Sequence, residues 1–402
     1  MKKKKILISS FDMEIGGVER SLIGLLNEID YEKYDVDIML FKHEGEFLSF
    51  LPTEPKLLKE RDKYTTFRKS IKQVLQEGHI MIGLMRLIAK GMGNLHGQCI
   101  QSKEPGYLVI QYGWRLLSPF LPKLEEEYDI AISFLWPHYF IGDQVRAKKK
   151  IGWIHTDYSN IPLNKYMESC MWKRMDNIIA VSESCKESFL SIFPEMTRKI
   201  EVLENVLSPE FIYEQSNTEV AYEMSEDPDK INLVTVGRLS HAKGIDDAAY
   251  ACRDLLDQGY KINWYIVGYG SQERDLRMLI EKLNLQNHFF LLGKKLNPYP
   301  YIRACDIYVQ PSRYEGKAVT VREAQILGKP VLITNFPTAR SQVRAGVDGL
   351  ITPLGFKGIC DGVKRLVDDP ELRERLCANT TRFDYSNKAE IQKLYSIIEA
   401  EK

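Results

Sequence analysis

The stretch Ile307-Tyr308-Val309-Gln310-Pro311-Ser312-Arg313-Tyr314-Glu315-Gly316-Lys317-Ala318-Val319-Thr320-Val321-Arg322-Glu323-Ala324 decides the fold class. The apolar run Ile307 to Val309 reads as a buried strand. A turn carrying proline and glycine follows, then a helical pattern over 320–327. Gly328-Lys329-Pro330 leads into a second apolar strand, Val331 to Ile333. Strand, turn, helix and strand in this order predict a parallel sheet with helices on its faces. Glu315 and Glu323 lie eight apart at the C-terminal edge of that sheet, where open α/β sheets bind ligands. Two carboxylates beside a run of backbone N–H groups suit a polyhydroxylated ligand.

The same alternation continues on both sides. Upstream, strands are expected at 231–236, 262–267 and 289–292, with helices at 244–256 and 273–283. A first half alternates likewise, with strands at 6–9, 36–41, 128–134, 150–154, 177–181 and 200–203 and a helix from Val18 to Ile29. Between them, 207–230 is rich in Ser, Pro, Asn and acid and reads as a linker. The segment 52–122 is basic and loosely helical. The chain is thus expected to be α/β, with two Rossmann-like domains, 1–206 and 207–385, whose parallel sheets face across a central cleft. The amphipathic segment 386–402 is expected to pack back on the first.

Composition narrows the class. With 402 residues the chain is too long for one ordinary core. It carries 55 basic and 55 acidic residues, which gives no support for a nucleic-acid partner. Seven dispersed cysteines form no C-x-x-C pair and fit a reducing cytoplasm. No signal peptide is expected, and no apolar run reaches ~18 residues. The runs Lys2–Lys5 and Lys148–Lys150 read as solubilising strand flanks or as attraction to an anionic membrane face. Localisation is expected to be cytoplasmic, at the inner face of the cell membrane.

Candidate site residues stand at predicted strand ends. Arg238 and Lys243 sit on a glycine-flanked loop that enters a helix, a composition that suits a diphosphate as well as an ordinary solvated loop. Gly16-Gly17 opens a helix after the first strand and lets backbone approach a phosphate, though the G-x-G-x-x-G pattern is absent. His155 ends a strand and can serve in acid/base work or in structure. Glu315 and Glu323 can be an acid/base pair, hydroxyl acceptors or acids at a helix N-terminus. No histidine has a carboxylate or cysteine at ligand spacing, so no metal is expected.

Together these residues resemble the GT-B glycosyltransferases, specifically the retaining, nucleotide-sugar-dependent family 4. The likeness is strong over 234–353 and moderate at 6–26, 153–156 and 177–205. It implies that Glu315 and Glu323 form the family's E-x7-E element, with Glu315 on the transferred sugar and Glu323 on the ribose hydroxyls. It implies that Arg238 and Lys243 neutralise the diphosphate, that Gly16 and Gly17 approach it, and that His155 lies near the sugar 6-hydroxyl. Lys295 and Leu296 would border the base. Gly316, Lys317, Ala318 and Val319 would offer backbone N–H groups. Lys317-Ala318 departs from the apolar-glycine pair common in the family and leaves the sugar open.

The resemblance further implies a donor-binding second domain, an acceptor-binding first domain and a UDP-sugar as donor. The hydroxyl acceptor would be a polysaccharide, a teichoic-type polymer or a lipid-linked glycan. Neither cofactor nor metal is expected, and attack on the front face would retain configuration without a covalent glycosyl-enzyme. The competing readings are a nucleotide-sugar epimerase of the same architecture and a non-catalytic partner subunit.

Overall fold

The computed structural model of the chain describes residues 3–400 apart from 15, 103 and 104. Met1 and Lys2, at the head of the first lysine run, and Glu401 and Lys402, at the end of the C-terminal segment, lie outside the described residues. The chain divides into two compact units: 1–206 with 388–402, and 207–387.

Unit 1 is built on a seven-stranded sheet: β1 (Lys4–Ser10), β2 (Tyr34–Leu40), β3 (Lys56–Leu57), β4 (Glu127–Ser133), β5 (Arg146–Ile154), β6 (Asn177–Ala180) and β7 (Ile200–Val202). Their order is β3-β2-β1-β4-β5-β6-β7 and every pair is parallel. Ile6, Leu7 and Ile8 of β1 are all buried, as a strand covered on both faces requires. The helix Gly17–Glu28 covers one face through Leu22, Leu25 and Leu26. The C-terminal helix Glu390–Glu399 adds Ile391, Leu394, Ile397 and Ile398 to this core. Lys149 of β5 donates to the carbonyls of Ile397 (2.6 Å) and Ala400 (2.5 Å), so a buried ammonium caps the helix end where the dipole is negative.

Unit 2 holds six parallel strands, β8 (Ile231–Val236), β9 (Ile262–Val267), β10 (Phe289–Gly293), β11 (Ile307–Gln310), β12 (Val331–Thr334) and β13 (Leu350–Thr352), in the order β10-β9-β8-β11-β12-β13. In each sheet the strand order reverses at one point, between β1 and β4 and between β8 and β11. Open α/β sheets bind ligands at such a reversal, beyond the C-terminal ends of the strands.

Two expectations need correction. The segment 207–230 is no linker. It contains the helix Pro209–Ser216, capped by Ser208, and buries Leu207, Ile212, Ala221 and Met224 in the unit 2 core. Its polar residues cap and turn the chain, which composition alone cannot tell from a tether. The lysine runs flank or lie in β1 and β5, as one reading of the sequence had it, and several of their ammonium groups have partners. Lys3 donates to the Tyr31 carbonyl at 2.7 Å, Lys5 pairs with Glu126 at 2.5 Å, Lys148 pairs with Asp129 at 2.7 Å and Lys150 donates to the Gly142 carbonyl at 2.9 Å. Finally, unit 2 runs to Asn387, two residues beyond the expected boundary.

Candidate active site

In unit 2 the loops after β8 and β11 are bolted together. Gly244 has φ +63°, and a Cβ there would lie 2.2 Å from the Pro311 carbonyl oxygen, so only glycine lets the helix Ile245–Asp257 start so close to the neighbouring loop. Arg313 donates from its backbone to the Ala242 carbonyl at 2.7 Å. Its guanidinium grips Asp246 through two bonds of 2.8 Å, Asp247 at 2.6 Å and the His241 carbonyl at 2.9 Å, a planar fork on a carboxylate. Sequence reasoning passed over Arg313. Its only signal was a cation in the turn and two acids at a helix start.

That brace sets Lys243 against Glu315. One carboxylate oxygen, Glu315 Oε1, takes the Lys243 ammonium, the Ser312 hydroxyl at 2.6 Å and the Gln310 amide at 3.3 Å. Gln310 is held in turn by the Tyr308 hydroxyl (2.7 Å) and the Thr320 hydroxyl (3.2 Å) on its own oxygen. Thr338 donates to the Glu315 carbonyl at 3.1 Å. The Glu315 side chain is 9% exposed. These bonds all fall on Oε1, and Oε2 has no hydrogen bond among the described residues. Gln310 and Ser312 were legible in principle, as polar residues where an apolar strand ends.

The structure places the remaining unit 2 candidates as follows. Arg238 is exposed on the loop after β8. Glu323 lies in the helix Val319–Ile326, is fully buried, and accepts from the Tyr299 hydroxyl at 3.0 Å. An open hydroxyl acceptor was expected there; the buried helix face has closed over it instead. Ala318 N–H is already given to Gln342 Oε1 at 2.9 Å, so it is not the free donor expected. Gly316, Lys317 and Val319 belong to the same turn and helix start. The Lys295 ammonium pairs with Glu223, whose other oxygen accepts from Tyr301 at 2.9 Å, and it lies 5.4 Å from the Tyr301 ring centroid. The Glu223 carboxylate and the Tyr301 ring outcompete solvent for it. Leu296 stays exposed beside it.

In unit 1, Gly16 and Gly17 stand at the β1 edge and open the helix Gly17–Glu28. Gly16 is extended, with φ −161° and ψ 165°. A Cβ on it would meet the Glu19 carboxylate at 2.2 Å, so an acid of the helix's own first turn sits over its start. His155 follows β5, with its ring centroid 4.7 Å from that of Phe134 and 6.2 Å from that of Trp153. Burial pushes its imidazole down to about 3, which leaves it neutral at ordinary pH. It is a poor general acid or base in this state, contrary to one reading of the sequence. Sequence reasoning missed its neighbour His138, after β4, whose Nδ1 lies 2.8 Å from the Ser133 hydroxyl. Burial, and then His155, depress His138 to about 3 as well. Nε2 of each ring is covered and has no partner among the described residues.

Among the described residues no group of three His, Cys, Asp or Glu is placed to hold a metal ion, and no helix is long and apolar enough to cross a membrane.

Comparison with known proteins gives a match in the second unit. Residues 219–383 match the family model described as glycosyl transferases group 1. The whole chain has the GT-B glycosyltransferase fold. It superposes on HepE of Anabaena, solved with UDP-glucose, with a TM-score of 0.68 at 17% identity over 98% of this chain and 100% of that one. It superposes on TarM of Staphylococcus aureus, solved with UDP and alpha-GlcNAc-glycerol, with a TM-score of 0.69 at 14% identity over 99% and 100%.

Among relatives, an uncharacterized glycosyltransferase of Methanocaldococcus jannaschii is 25% identical over 65% of this chain and 71% of its own length. The capsular polysaccharide biosynthesis glycosyltransferase CapM of S. aureus is 27% identical over 50% and 55%. The chain spans about half the length of most curated relatives it matches.

Proposed function

We propose that this protein transfers a sugar from a nucleoside diphosphate sugar to a hydroxyl acceptor, with retention of configuration. The observation that carries the reading is the Glu315 network. A carboxylate held rigid through one oxygen, beside a lysine and at the switch point of a sheet, offers its second oxygen to a sugar hydroxyl. It lies within the segment that matches the group 1 family. UDP is the favoured carrier, because the structural neighbours HepE and TarM were solved with it. Polysaccharide or lipid-linked acceptors are favoured by CapM and by the Campylobacter jejuni transferase that acts on a diphospho-undecaprenol glycan. A lipid-linked acceptor would also bring the protein to a membrane face.

In this reading the Lys243 ammonium and the exposed Arg238 guanidinium meet the diphosphate. Breakage of the anomeric C–O bond puts negative charge on the leaving phosphate, and cations aimed there stabilise it as it develops. No metal enters this scheme. Tyr299 holds Glu323, and ribose hydroxyls would have to draw that carboxylate out.

The deciding experiment is metal-free thermal-shift binding of UDP, GDP, ADP, CMP and dTDP, with Arg238→Ala and Glu315→Gln alongside. We expect one diphosphate to stabilise the protein. Arg238→Ala should weaken that diphosphate about tenfold, and Glu315→Gln should keep binding but slow transfer at least ~100-fold, about 2.7 kcal/mol of barrier. Absence of any shift, or full transfer by Glu315→Gln, defeats the reading. Conversion of the donor sugar without an acceptor would favour an epimerase.

A further inference from the structure

The helix Ile80–Cys99, in the basic middle of unit 1, is apolar on both faces. Its inner face is buried through Ile82, Ala89, Gly93 and Gly97. Gly93 allows the helix Gly106–Leu117 to come close, since a Cβ would stand 2.6 Å from the Val109 nitrogen. The outer face of such a helix ought to be polar. Instead Ile80, Leu84, Leu87, Ile88, Met92 and Leu95 are 40–65% exposed. At 100° per residue, exposed apolar side chains and Gly91 fill one arc of roughly 140°, and they run about 22 Å along the axis. No charge interrupts the arc. A continuous stripe of this kind marks an interaction surface rather than scattered surface leucines.

Charge selects the occupant. Residues 56–123 contain twelve Lys and Arg against four Asp and Glu, in a chain whose total is balanced at 55 and 55. The helices Ile71–Gln76 and Ile80–Cys99 contain no acid at all, and Lys72 and Lys90 are exposed on them. A second copy docked about a two-fold axis on this stripe would bring like charges together. An anionic bilayer satisfies the apolar arc and the cations at once.

We infer that the helix Ile80–Cys99 is a membrane-docking element that lies flat on an anionic lipid surface, its Leu84, Leu87 and Ile88 side chains entering the acyl boundary and Lys72 and Lys90 meeting headgroups. The inference rests on the exposed stripe and is independent of the proposed reaction. It relocates the membrane contact from the lysine runs of β1 and β5, where Lys3, Lys5, Lys148, Lys149 and Lys150 have partners within the unit.

The test is co-sedimentation of the full chain with phosphatidylcholine vesicles, with and without about one-third phosphatidylglycerol. The expected result is binding at least tenfold tighter to the anionic vesicles. Leu84→Gln/Leu87→Gln should lose at least tenfold of it, and Lys72→Glu/Lys90→Glu should lose the preference for phosphatidylglycerol. Both variants alter exposed positions, and an unchanged thermal midpoint and circular dichroism spectrum verify the fold. Three results would overturn the inference. One is no vesicle binding by the wild type. Another is undiminished binding by the leucine variant. The third is a solution dimer, seen by light scattering, that the leucine variant converts to monomer while no form binds vesicles.

Discussion

His138 and His155 are held neutral by burial, with folded-state values of about 3. In the unfolded chain a histidine takes a proton near pH 6.5. Between about 6.5 and 3 the unfolded state therefore binds more protons, and stability rises with pH and is lost on acidification. We expect about 1–2 kcal/mol lost per histidine between pH 7.5 and 5. Urea unfolding at the two pH values should show a smaller loss for His138→Gln than for the wild type. Equal losses would mean that His138 titrates normally. At this scale the sequence marked candidate residues by position and said little about their state. Glu315, Lys243 and His155 stood out by position. That Lys243 is paired, Glu323 sealed and His155 neutral depends on what packs against them, and those neighbours are distant in the chain.

Single residues hold whole elements in place. Glu168, in the helix Lys165–Trp172, is fully buried and accepts from Gln111 (2.6 Å), Trp136 (2.9 Å), Tyr158 (2.8 Å) and Trp172 (3.1 Å). It ties that helix to Gly106–Leu117 and to the loop after β4. Removal of the carboxylate strands three buried donors and the half-buried Trp136 indole. Glu168→Ala should cost about 3 kcal/mol or more, measured by denaturant unfolding, while Glu168→Gln should cost less. A neutral result for alanine would mean that water replaces the carboxylate. At the β8 and β11 edge, Gly244→Ala meets both a positive φ and the Pro311 carbonyl. A loss of about 2 kcal/mol or more is expected, together with weaker nucleotide binding, because Lys243 and Glu315 would part. An unchanged thermal midpoint would show that the two loops separate at no cost.

At the scale of the molecule, the two units have separate cores, and the last helix belongs to the first. Glu390–Glu399 fills unit 1 with four aliphatic side chains, and the Tyr34 hydroxyl reaches Glu399 at 2.7 Å. Deletion from residue 388 should therefore lower the unfolding midpoint of unit 1 and leave that of unit 2 in place. Scanning calorimetry, with UDP added to mark the unit that binds it, separates the two transitions. A loss confined to the UDP-stabilised transition would contradict this assignment of the helix.

The sequence by itself determined the α/β class, the parallel sheets and the glycine and carboxylate turn at 311–324. Strand and helix periods are local, and a turn after a buried strand has one place to be. The sequence also pointed to the switch point of unit 2, since charged residues after Val236 and Gln310 could only gather at one edge. Only the tertiary structure decided the rest. It absorbed the supposed linker 207–230 into a core, gave Lys3, Lys5, Lys148, Lys149 and Lys150 carbonyl or carboxylate partners, and clamped Arg313 onto a helix start. It also left the outer face of Ile80–Cys99 bare. Each outcome is a choice of partner made across tens or hundreds of residues, and apolar periodicity alone does not say whether a face will be covered.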